Sequence, residues 1–119
     1  MFPPFVLAKI YVQGSLKNTE KGVEFTLKNV VDSGTLVEFG PVTVDGKAYE
    51  AAAIAIVTGS SERGGDQVTR QNPMSVYVGS AFTVRLNGVS LEAGEHTINV
   101  SLLTREIGRI HFDAKDTVA

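Results

Sequence analysis

In the stretch GVEFTLKNV, residues 22–30, apolar and polar side chains alternate: Val23, Phe25 and Leu27 fall on one side, Glu24, Thr26 and Lys28 on the other. Successive side chains of a strand point to opposite faces, so a period of two specifies a half-buried strand and not a helix. The stretch HTINVSLLT, residues 96–104, repeats the pattern with Ile98, Val100 and Leu102 inward and Thr97, Asn99 and Ser101 outward. One dry and one wet face per strand is the mark of an antiparallel sheet.

Shorter strand candidates lie around these two: AKIYVQG (8–14), TLVEF (35–39), PVTV (41–44), AIAIVT (53–58), SVYV (75–78), FTVRL (82–86) and GRIHFDA (108–114). Asp45-Gly46 is the strongest hairpin signal and Asn87-Gly88 the next, because both pairs tolerate the positive φ of tight primed turns. Roughly eight to ten short strands with closely spaced turns predict an all-β fold, an antiparallel two-sheet β-sandwich whose sheets bury their apolar faces against each other. Only GKAYEAAAIAI (46–56) tempts a helical reading, and its β-branched continuation limits that to one turn near Tyr49 to Ala53. Pro3 and Pro4 cannot donate ladder hydrogen bonds, so they read as guards of a sheet edge.

With 119 residues the chain is expected to form a single domain, 1–119, with one core. Hydrophobic residues make up 43% and charged residues 20%, with a formal net charge of −2, which is globular composition. That balance gives no long-range attraction to phosphate backbones or anionic lipid, so neither nucleic acid nor a membrane is an expected partner. Cysteine is absent, which removes disulfides, thiolate chemistry and sulfur-ligated zinc. The start, MFPPFVLAKIYV, is interrupted by prolines and Lys9 and does not read as a signal peptide. A cytoplasmic location is the expectation.

Few residues could carry a reaction. The two imidazoles, His96 and His111, lie on different strands with no ligand spacing such as H-E-x-x-H; if those strands pair, they could meet near Glu95, Glu106 or Asp113. No metal is assigned to this chain on that spacing. There is no G-x-S-x-G elbow, and GSSERGGD (59–66) lacks the lysine and following helix of a phosphate loop. Asn99-Val-Ser matches a glycosylation sequon, but in the middle of a strand.

One segment breaks the strand pattern: GSSERGGDQVTRQNP, 59–73, is polar, glycine-rich and long for a connection. It is the chain's interaction candidate, with Arg63, Asp66 and Arg70 as rim contacts. LEAGEHTINV (91–100) suits a structural corner. Leu91 plugs the core beneath the loop, Gly94 supplies a left-handed turn, and His96 takes the place that a corner tyrosine holds in many sandwiches, bonding backbone upstream.

Taken in order, GSLKNTEKGVEFTLKN (14–29), VTVDGKAY (42–49), FTVRLNGVSLEAGEHTINVSL (82–102) and the close FDAKDTV (112–118) resemble the small β subunits of C-glycoside deglycosidases. The order of these pieces together with Lys115-Asp116-Thr117 carries the resemblance. It implies a β-sandwich that pairs with a larger, barrel-type α subunit holding a divalent metal. The pair would cleave the carbon–carbon bond of a 3-oxo-C-glycoside by proton abstraction and elimination. The small subunit would itself be non-catalytic or complete the pocket, with no cofactor of its own, as the accessory component of a carbon–carbon lyase. VVDSGTLVEFG (30–40) departs from the family pattern, and no catalytic residue is transferred. The alternative is a stand-alone interaction or carbohydrate-binding module, built on edge strands or on Tyr11, Tyr49 and Tyr77, and open to self-association.

Overall fold

A computed structural model describes residues 3–119; Met1 and Phe2, part of the apolar start, lie outside the described residues. The described residues form ten strands: β1 (Lys17–Thr19), β2 (Gly22–Lys28), β3 (Gly34–Val44), β4 (Lys47–Tyr49), β5 (Ile54–Thr58), β6 (Ser61–Gly64), β7 (Met74–Val76), β8 (Ala81–Asn87), β9 (Gly94–Thr104) and β10 (Gly108–Val118). One α-helical turn, α1 (Pro4–Leu7), precedes them. Two antiparallel sheets result, ordered β1-β2-β8-β5-β6 and β10-β9-β3-β4, with β7 pairing the start of β3. This is the all-β, two-sheet sandwich expected from the alternation.

The alternating stretches build its core. Val23, Phe25 and Leu27 from β2 and Ile98, Val100 and Leu102 from β9 are all buried, and they meet Val84, Leu86, Phe39, Val42, Ile54 and Ile56 between the sheets. Each such side chain contributes about 1.5–3 kcal/mol when fully buried. Gly22 opens β2 at φ +150°, where a Cβ would sit 2.1 Å from the Leu86 carbonyl oxygen, so only glycine lets β2 approach β8 this closely.

Turn chemistry holds at one site and fails at another. Asp45 (φ 50°) and Gly46 (φ 86°) make the two-residue turn between Val44 and Lys47 of the β3–β4 hairpin. Asn87-Gly88 also turns, with the Val89 N–H donating to the Leu86 carbonyl, but it joins no hairpin: β8 and β9 lie in different sheets. The helical turn near Tyr49 appears as a 3₁₀ turn over Ala51–Ala53, followed by β5.

At the N-terminus the strand expected over 8–14 is absent. Pro4 starts α1 at a position where a missing N–H costs nothing, and a 3₁₀ turn over Ala8–Ile10 follows. The prolines therefore initiate a helical turn and do not guard an edge. From Tyr11 the chain runs beside β2, with a single bridge between Tyr11 and Leu27 and a bond from the Val12 N–H to the Thr26 carbonyl.

Segment 59–73 is more ordered than its composition predicts. Ser61–Gly64 pairs with β5, a 3₁₀ turn covers Gly65–Gln67, and Val68 is buried. An edge strand can be polar on its exposed side, so hydropathy alone does not separate it from a loop.

Candidate functional site

The two ends of the sandwich differ. At the end where β9 begins, the His96 ring lies between two acceptors: Nδ1 is 2.6 Å from Asp45 Oδ2 and Nε2 is 2.7 Å from the Glu92 carbonyl oxygen. Both partners only accept, so the protonated imidazolium is the form that satisfies both contacts. The Glu92 carbonyl, followed by the Asp45 carboxylate, raises the His96 pKa above its ordinary 6.5. Asp45 is held below the usual carboxylate range by the Thr97 N–H and then by His96. Gly94 stands at φ 122° at the start of β9, and Leu91 packs partly buried against the core while exchanging hydrogen bonds with Asn18.

Beside this corner, across from His96 in the β9–β10 register, Asp116 is buried. Its Oδ2 accepts from the Tyr11 hydroxyl at 2.9 Å, the Gly14 N–H at 3.0 Å and the Leu16 N–H at 3.1 Å; its Oδ1 accepts from the Thr117 N–H at 2.9 Å. Burial opposes ionisation of Asp116, and these donors outweigh it, so its pKa is lowered. The Tyr11 hydroxyl, desolvated and facing that carboxylate, is pushed far up. The N-terminal segment thereby closes one flank of the sandwich, paired with β2 in one sheet and tied to β10 of the other. Its signal in the sequence was the Lys115-Asp116-Thr117 close, which marked the position without revealing its partner.

His111 lies elsewhere. It pairs with Ser101 while His96 pairs with Asp116, five positions along β10, or about 16 Å at strand rise, and an odd offset puts the two on opposite faces. The imidazoles therefore do not meet. Among the described residues no three His, Cys, Asp or Glu side chains gather where they could hold a metal ion.

His111 belongs to a polar groove of about 410 Å³ on the outer face of the second sheet, lined also by Pro41, Thr43, Asn99 and Ser101. Arg109 crosses it, bonding Glu38 at 2.7 Å and the Ser101 hydroxyl at 2.9 Å, and Asn99 donates to Asp113 at 2.5 Å. Arg109, Glu38, Ser101, Asn99 and Asp113 thus satisfy one another along a preformed polar surface.

Arg63, Asp66 and Arg70 fall on β6, on the 3₁₀ turn and on the turn after it. Asp66 and Arg70 are exposed, while Arg63 is half-buried and donates to the Asn72 carbonyl at 3.3 Å. The three tyrosines form no row: Tyr11 is in the core, stacked on Phe25 at 5.4 Å, Tyr49 is half-buried on β4 under Lys47, and Tyr77 is exposed. A sugar platform of stacked tyrosines is thus not present.

The opposite end is apolar. Among the described residues the exposed large hydrophobics include Val30, Tyr77, Val78 and Ile107, which stand on the β2–β3, β7–β8 and β9–β10 connections around the same end. These connections are fixed by hydrogen bonds. The Asn29 side chain donates to the Asp32 and Val76 carbonyls, the Val78 N–H donates to the Ser33 hydroxyl, and Glu106 accepts from both the N–H and hydroxyl of Thr35. Sequence reading missed this surface, because it comes together only when three connections are brought to one end.

Among the described residues no helix is long and apolar enough to cross a membrane. The sequence model of the family described as hydroxymethylglutaryl-CoA reductase, N-terminal domain, matches residues 6–119. A curated relative, the 3'-dehydrocarminate deglycosidase beta subunit of Microbacterium sp, is 31% identical over 101 residues, covering 82% of this chain and 76% of the relative. The chain thus belongs to the family described as hydroxymethylglutaryl-CoA reductase, N-terminal domain, and, at this identity and coverage, to the family of the deglycosidase beta subunit.

Proposed function

We propose that this chain is the small, accessory subunit of a carbon–carbon lyase of the C-glycoside deglycosidase type. It docks on a larger, barrel-type α subunit that holds a divalent metal, and it helps complete a sugar or glycoside pocket. The observation that carries this reading is the kinship with a deglycosidase beta subunit over most of both chains. The layout of the molecule supports it. Both histidines are placed as structural or surface groups, and apolar side chains are displayed on pinned connections at one end, as interface cores tend to be. In this reading proton abstraction and elimination belong to the larger subunit, and Arg63, Asp66 and Arg70 serve as polar rim contacts.

The domain family's description points the same way at a coarser level, since an N-terminal domain and a beta subunit are both parts of something larger. The common dinucleotide site is built on a parallel βαβ unit with a glycine-rich turn onto a helix. The described strands are all antiparallel, and the one α-helix spans four residues. The chain is accordingly proposed as a non-catalytic part under either description.

The test is purification of the tagged full chain from its native host. A larger polypeptide should accompany it in fixed stoichiometry, and deglycosidase activity toward a 3-oxo-C-glycoside should require both. Recovery only as a monomer or as an assembly of this chain alone overturns the proposal and leaves the stand-alone module.

A further inference from the structure

The apolar end of the sandwich is not only a surface. It opens into a recess of about 170 Å³ between the sheets, lined by Leu27 and Phe82 from one sheet and by Leu36, Leu102 and Ile110 from the other. Protein interiors pack like organic crystals, and an apolar void deprives its lining of contact partners. Such a recess persists only where the sequence leaves it unfilled.

Gly34 shows how this sequence does so. It lines the mouth of the recess at the start of β3, and its φ lies outside the left-handed region. A Cβ built there would touch only Glu106 Oε1, at 3.4 Å. Neither backbone conformation nor crowding demands glycine at this position, and a strand favours β-branched residues over glycine. A larger side chain at position 34 would stand beside Glu106 in the lining and narrow the mouth.

We propose that this recess is a binding site for a neutral, single-ring aromatic molecule. The volume matches: an apolar protein cavity of about 150 Å³ takes up benzene. The shape matches as well, because two facing sheet surfaces form a slot, and Phe82, already edge-on to Phe39 at 6.2 Å, offers a ring for offset or edge contact. The buried Asn29 and Thr104 side chains in the lining already donate to the Asp32, Val76 and Gly108 carbonyls, which leaves the free polar groups at the rim. There the Ser33 hydroxyl accepts from the Val78 N–H and can still donate to a ring substituent, and Asp32 and Glu106 set two carboxylates against the single Lys28 amine. That rim favours a neutral or hydroxylated ring over a carboxylated one. The mouth is held by the Asn29 and Glu106 hydrogen bonds, so the site is formed before the ligand arrives.

The test uses the full chain alone, so its outcome is independent of the proposed larger subunit. Benzene, phenol and benzoate are titrated while the methyl resonances of Leu27, Leu36, Leu102 and Ile110 are followed by NMR. Saturable shifts confined to these methyls are expected for benzene and phenol, with benzoate at least tenfold weaker. Gly34→Val should keep the fold, read from the dispersion of the remaining methyls, and abolish the shifts. Val76→Phe, which narrows the same mouth from β7, is the second variant should the first disturb β3. Absence of saturable shifts in the unmodified chain overturns the proposal. So does unchanged binding in both folded variants, or loss of assembly with the larger subunit on Gly34→Val when the isolated chain binds no ring, an outcome that assigns the recess to a side chain of that subunit.

Discussion

His96 concentrates what a single residue contributes here. Its ring links the β3–β4 turn, through Asp45, to the connection before β9, through the Glu92 carbonyl, and both bonds need the imidazolium. Because its folded pKa is raised, its contribution is fully present below the unfolded value of 6.5 and is lost as pH rises through the folded value. Asp45 works in the opposite sense. Its pKa is lowered in the fold, so its share is present above 3.8 and is lost as pH falls through its lowered folded value. The corner is therefore strongest between those limits. His96→Ala should cost about 1 kcal/mol of stability there, the net worth of a hydrogen bond, with the difference from the unmodified chain shrinking toward pH 9. Urea unfolding of both chains from pH 5 to 9 checks this, and a gap independent of pH would contradict it.

Among the elements, the N-terminal segment departs furthest from what its sequence predicts, and Asp116 explains how it is held. Three backbone N–H groups and the Tyr11 hydroxyl converge on one buried carboxylate, so removing it strands several donors at once. Asp116→Ala should cost about 3 kcal/mol, whereas Tyr11→Phe, which leaves the carboxylate its backbone partners, should cost about 1 kcal/mol. Tryptic cleavage at Lys17 should accelerate in the first variant far more than in the second; equal cleavage would show that the segment is held by other contacts. The difference between this segment and β2 also shows what the sequence can disclose. Val23, Phe25 and Leu27 declare their strand through local alternation, and Asp45-Gly46 declares its turn through backbone preference. The Asp116 site, the groove around Arg109 and the apolar recess are each assembled from residues far apart in the chain, joined by registers that local pattern does not encode. The His96 corner joins a turn and a loop that Asp45 and Gly94 mark locally, whereas no local pattern marks the groove that His111 lines.

Across the whole molecule, the polar corner and the apolar mouth sit at opposite ends of the same two strands. His96, near the start of β9, and Thr104, at its end, are about 26 Å apart at strand rise, and Gly34 lies at the mouth end of β3 while Asp45 follows its far end. The two ends share no hydrogen-bond partner, and between them lies a filled core of Phe25, Phe39, Val42, Ile98 and Val100. Packed sheets of this kind hold a site at one end without adjusting the other. His96→Ala and Gly34→Val should therefore act independently: the stability change of the double variant should equal the sum of the single changes within about 0.5 kcal/mol. His96→Ala combined with Asp45→Asn should behave differently, because once the ring is gone the second change removes a contact already lost. Urea midpoints of the three single variants and the two double variants, with unchanged slopes to exclude altered compactness, make the comparison. Coupling between His96 and Gly34 above that margin would mean that the corner and the mouth respond to each other through β3 and β9, so that an occupant at one end is sensed at the other.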